Sequence, residues 1–143
     1  MSAVHVLARP PVSAGALMLI ERSRAGLFQA CDARSPSERY VAAHLSALRA
    51  AAAVLAVRGR PTRRGGPRSV WEVLPRIAPE LGEWSVFFAA TATRRAAIEA
   101  GRGDSITARS ADDLLRDAES FHHVVLEVLG LPDQTVLPLS RPA

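Results

Sequence analysis

Lysine is missing from this chain. All 18 basic residues are arginine, and with 14 acidic residues they leave a net charge of +4 and a pI near 10.8. Arginine-only, alanine-heavy usage looks like a high-GC bacterial genome, so codon bias accounts for part of the charge. A pI this high still favours a polyanionic partner, RNA or nucleotide. Cysteine occurs once, at Cys31, which excludes an intrachain disulfide and offers no metal-ligand spacing. Aromatic residues are only 5% of the chain although 48% of it is hydrophobic. The core must therefore be built mainly from Ala, Val and Leu, which packs helices closely and does not suggest a sheet. The apolar run at residues 14–20 falls far short of the ~20 residues that a membrane span needs. Arg9, Pro10 and Pro11 interrupt the place where a signal peptide would need its apolar centre. Strand-like alternation, internal repeats and Gly-rich phosphate loops are lacking too. The expectation is a cytoplasmic protein with no membrane partner, no metal and no cofactor.

What is present is helical periodicity. A chain of 143 residues makes one domain with one core. Residues 1–13 read as a flexible N-terminal arm, 14–130 as a helical bundle and 131–143 as a Pro-rich irregular tail. The first helix is predicted over 14–33, with Leu17, Ile20, Leu27 and Cys31 at helical spacing. The second is predicted over 36–58. Ser35, Pro36, Ser37 and Glu38 combine a capping box with proline at the first helical position, and Gly59 ends it. Tyr40, Ala43, Ala47, Leu48 and Leu55 form its stripe. Ser69 should cap a short helix over 69–77, broken or kinked by Pro75 and Pro79, with a longer helix near 79–99. Ser110, Ala111, Asp112 and Asp113 read as a further cap, with acids on the positive helix end. The last helix then carries Leu114, Leu115, Ala118, Phe121, Val125 and Leu129 to a stop at Gly130. The predicted fold class is all-α, an up-and-down bundle of four main helices with a short extra helix. Trp71, Trp84, Phe87 and Phe88 either centre the core or cover a subunit interface.

Two places pair an arginine with a histidine. Imidazole can act as acid or base near pH 7, and arginine can stabilise the charge on a phosphorane transition state. Arg116 and Asp117 precede His122 and His123 on the last helix. Arg116 and His123 share a face there, whereas Arg116 and His122 lie about 120° apart. Arg39 precedes His44 on the second helix, about 140° away from it. Arg58, Arg60, Arg63, Arg64 and Arg68 crowd the segment between the second and third helices, a flexible basic loop able to track RNA phosphates or simply a solvated linker.

The runs RYVAAHLSALRAAAAVLAVRGRP, RSVWEVLPRIAPELGEWSVFFAATATRRAAIEAG and ARSADDLLRDAESF resemble a small actinobacterial branch of the HEPN superfamily (higher eukaryotes and prokaryotes nucleotide-binding) across roughly residues 33–130. The resemblance implies an all-α bundle that commonly forms a homodimer. It also implies an activity found in many such domains, metal-independent endoribonuclease action by toxins or defence effectors. That activity uses an arginine, four to six residues, then a histidine, in a cleft between two subunits. Arg116, Asp117 and His122 fit that pattern in the expected position, with His123 also inside the spacing; Arg39 and His44 come too early. Other members serve as nucleotide-binding, antitoxin or scaffold modules. The alternative expectation is therefore a non-catalytic module, associating with itself or a protein partner through Trp71, Trp84, Phe87 and Phe88.

Overall fold

The computed structural model describes residues 11–59, 69–102 and 106–133, among which there are helices and turns but no strand. Helix α1 spans Ala14–Asp32, α2 Pro36–Arg58, α3 Val70–Ile77, α4 Gly82–Glu99 and α5 Ala108–Leu129; a 3-10 turn at Pro79–Leu81 leads into α4. Side-chain contacts fix the directions. Ser46 meets Ser23 while Arg39 reaches the Ala30 and Ala33 carbonyls, so α1 and α2 are antiparallel. Arg58 pairs with Glu80, and His44 reaches Phe88 and Arg95, so α4 runs back along α2. Arg39 pairs with Asp112 and His122 meets the Ser23–Ser46 pair, which sets α5 parallel to α2. The four long helices alternate up and down, as the sequence predicts.

Helix α2 is the centre. By length and hydropathy it could cross a bilayer, yet Tyr40, Ala43, Ala47, Ala50, Ala51, Val54 and Leu55 are all buried against its neighbours. Its small side chains let the other helices come close. The closest approach explains Gly26, a residue that weakens a helix interior by about 1 kcal/mol. A Cβ there would stand 3.1 Å from Ser46 Cβ and 3.4 Å from Ser46 Cα.

The caps follow the sequence with two differences. Ser69 and Glu72 close a full capping box on α3. At α2, Ser35 Oγ accepts from the Glu38 amide, but the Glu38 carboxylate accepts from the Arg34 amide and not from Ser35, leaving the box half made. On α5 the cap is Thr107, whose hydroxyl accepts from the Ser110 amide at 3.0 Å, not Ser110 itself. Three more residues are helical, so Asp112 lies beyond the first turn and is used instead in the ion pair with Arg39 at 2.8 Å.

Helix α3 continues through Pro75, as its predicted span over residues 69–77 requires. Proline has no N–H to donate to the carbonyl four residues back, which is Trp71. The buried Ser85 hydroxyl of α4 donates to that carbonyl at 2.8 Å and replaces the missing bond. Ser85→Ala should therefore cost about 1–3 kcal/mol, since it strands a buried acceptor. Adding Pro75→Ala, which restores a backbone donor, should recover part of that loss. Urea melts of the two variants check this; no recovery in the double variant would mean the hydroxyl acts only by filling space.

Trp71 and Phe88 are core and Trp84 is partly buried, which takes these three out of the docking surface that the alternative expectation draws through all four residues. Trp71 stacks on Phe88 at 5.2 Å, and Phe88 meets Phe121 at 5.2 Å. Of that group only Phe87 is exposed, with Val86 beside it. On α1 the expected apolar stripe also divides: Ile20 and Leu27 are buried, whereas Leu17 is 44% exposed.

Candidate functional site

The chemistry-bearing residues of α5 separate by face. Leu114, Ala118, Phe121, Val125 and Leu129 point into the bundle and carry His122 with them, leaving it 1% exposed. The Arg116 side chain is 72% exposed, its only ion pair among the described residues a 4.0 Å contact with Asp113 one turn back. Arg116 and His122 therefore do not converge within one chain, as their angular separation requires. His123 does share a face with Arg116. Glu119 lies between them and feels the charge of both, although burial is the stronger influence and raises its carboxyl above the usual range. His123 Nδ1 lies 3.0 Å from Asp133 Oδ1, yet it makes no hydrogen bond. The distance suits attraction between charges, and the direction does not suit an N–H···O bond. Asp117 faces α4 instead, beside Trp84, Phe87, Glu80 and Glu83. Burial first, and then repulsion from Asp113, pushes its carboxyl pKa up.

His122 belongs to a buried polar chain that joins three helices. Its Nδ1 lies 2.8 Å from Ser23 Oγ of α1, and Ser23 Oγ lies 3.2 Å from Ser46 Oγ of α2. Ser46 donates to the Ser23 carbonyl at 2.7 Å. One proton arrangement makes all three contacts hydrogen bonds: Nδ1–H donates to Ser23, Ser23 to Ser46, and Ser46 to the carbonyl. Nε2 is then a bare acceptor. Burial, the largest cause, and the neighbouring His123 lower the His122 pKa to about 4, so the ring is neutral at pH 7.

The second arginine–histidine pair is structural. Arg39 ties α2 to the end of α1 and to α5 through Ala30 O, Ala33 O and Asp112. His44 is fully buried. Its Nε2–H donates to Phe88 O at 2.9 Å, and Nδ1 accepts from Arg95 at 3.3 Å. Burial, the first cause, lowers its pKa despite the carbonyl bond.

Of the arginine-rich segment, Arg58 is described. Its guanidinium holds Glu80 at 2.7 Å and Ile77 O at 3.3 Å, bracing the end of α2 against the turn before α4. Arg60, Arg63, Arg64 and Arg68 lie outside the described residues. No cluster of metal-ligating side chains occurs among the described residues.

Sequence reasoning missed the residues that face His122. A cleft of about 370 Å³ opens between α1 and α5, walled by Leu17, Ile20, Leu126 and Leu131, with Arg24 and His122 in its lining. Ser23 lies 99 positions from His122 in the chain and Arg24 follows it, so no spacing could have linked them.

A family model described as SAV_6107-like HEPN matches residues 30–126. That span holds α2, α3, α4 and nearly all of α5, and it leaves out α1 before its last turn. No curated protein and no solved structure matches the chain.

Proposed function

We propose, from the premise that this chain belongs to the SAV_6107-like HEPN family, that it is a HEPN-domain module that binds RNA or nucleotide and does not cleave it through His122. The observation that carries this reading is the state of His122: 1% exposed and bonded through Nδ1 to Ser23. A general acid at neutral pH needs a proton to give and a path to substrate. Buried as it is, with a pKa of about 4, this imidazole has no proton to give at Nε2. The charge of +4 supports an anionic ligand in the cytoplasm. Self-association is part of the proposal, with the exposed Val86 and Phe87 available to a second copy or a protein partner.

A second reading has its own support. Arg116, Glu119 and His123 form an accessible row on α5. In a dimer this row could cleave RNA without metal, with Arg116 at the phosphate and His123 as acid or base.

Incubating purified protein with mixed RNA in EDTA decides between them, alongside Arg116→Ala, His122→Asn and His123→Ala. The expected result is no cleavage above background, with RNA binding that weakens steeply from 50 to 200 mM salt, as phosphate contacts do, by roughly tenfold or more. Cleavage lost in Arg116→Ala and His123→Ala but kept in His122→Asn establishes the second reading. Cleavage lost in His122→Asn, in protein that remains folded, overturns the proposal.

A further inference from the structure

The α1–α5 cleft has the makings of a small-molecule site. Its volume of about 370 Å³ lies in the lower part of the roughly 300–1,000 Å³ usual for such sites. Its walls are apolar, but two nitrogen-bearing groups in its lining are under-used. His122 lines the cleft with its Nδ1 held by Ser23, which leaves Nε2 as the acceptor nitrogen of the ring. The Arg24 guanidinium has a buried Nε with no partner. Among the described residues it has a 3.7 Å contact with the exposed Glu21 carboxylate and a 5.7 Å approach to the Phe28 ring. An imidazole acceptor and a guanidinium with a buried, unpartnered Nε in one apolar cleft suit a ligand that brings the complements. Arg24 and Ser23 lie outside the segment that matches the HEPN family model.

We propose that the cleft binds a small monoanionic molecule with an apolar body, whose oxyanion pairs with Arg24 and whose adjacent hydroxyl or N–H donates to His122 Nε2. The simplest compounds with that chemistry are 2-hydroxy acids carrying a branched or aromatic side chain. The carboxylate sits one carbon from the hydroxyl, and the side chain lies against Leu17, Ile20 and Leu126. Glu21 competes for Arg24 from the solvent side, so Glu21→Gln strengthens binding.

The test is a two-dimensional NMR titration of the full chain with phenyllactate. The comparisons are 3-phenylpropanoate, which lacks the hydroxyl, the neutral phenyllactamide, and a mixture of nucleoside monophosphates. The expected result is saturable shifts at α1 and α5, with affinity about tenfold weaker for each analogue that leaves a site group unpaired. Arg24→Gln, at a side chain partly open to solvent, should weaken binding by a similar factor while the protein stays folded. His122→Asn keeps a partner for Ser23 and removes the Nε2 acceptor, so it should make phenyllactate and 3-phenylpropanoate bind alike. No saturable shift with phenyllactate at 10 mM overturns the proposal, as does unchanged binding in Arg24→Gln. Nucleoside monophosphates binding here while the hydroxy acid does not also overturns it, and would place the nucleotide reading in this cleft.

Discussion

Phe88→Ala should destabilise the protein by about 3–5 kcal/mol, the usual cost of removing a buried phenyl ring from a core that cannot collapse onto the space. The chain has few large side chains, and this one is fully buried where α2, α3, α4 and α5 meet. Its ring stacks on Trp71 at 5.2 Å, approaches Trp84 at 6.2 Å and Phe121 at 5.2 Å, and meets the His44 ring edge-on at 5.8 Å. Trp71 and Trp84 are themselves packed against Phe121, at 6.0 and 5.4 Å, so these rings cannot turn freely into a void. The hole would therefore persist, which puts the cost toward the upper part of that range. Phe88→Leu should cost much less. Phe121→Ala should be comparably damaging, and the two losses should not add, because both rings line the same space. Guanidinium melts of the singles and the double check this. A cost below about 1 kcal/mol for Phe88→Ala would mean that the aromatic cluster is not the centre of the core.

Acidification should remove up to about 3 kcal/mol of stability through His122 alone. Its pKa falls from 6.5 to about 4 on folding. The folded state then binds fewer protons than the unfolded chain between those values, so this contribution is complete above pH 6.5 and is lost as pH falls toward 4. His44, also lowered by burial, acts in the same direction. Asp117 and Glu119 act in the opposite one: their carboxyls are raised by burial, so protonating them on acidification favours the folded state. The informative quantity is consequently a difference. Urea melts between pH 7.5 and 4.5 should show a shallower pH slope in His122→Asn than in the parent, whatever the absolute stabilities. Equal slopes would mean that His122 remains protonatable in the folded protein and would weaken the argument against it as a general acid.

Much of the helical plan could be read along the chain. Ser35 and Ser69 start helices, and Gly59 and Gly130, both at positive φ, stop them. These signals are local, because a cap satisfies the amides of its own first turn. Thr107 was missed since Ser110 with its following acids imitates a cap equally well, and only the position of α5 against α2 shows Asp112 reaching Arg39 instead. Pro75 lies inside the short helix predicted over 69–77, but the Ser85 hydroxyl that replaces its missing donor arrives from another helix and has no local signal.

The sequence by itself determined the helix count, the alanine-rich central helix and the family, because composition, period and caps act within a few turns. It also placed Arg116 and His122 on different faces, a consequence of helical pitch alone. Only the tertiary structure decided the surroundings of His44, His122 and His123. His44 and His122 are drawn into the core, and His123 is left half in solvent, because burial and partners depend on which helices close around a residue. Ser23, Ser46 and Arg24 have no meaning in sequence order; they acquire it where Gly26 lets α1 and α2 touch and α5 lies across them.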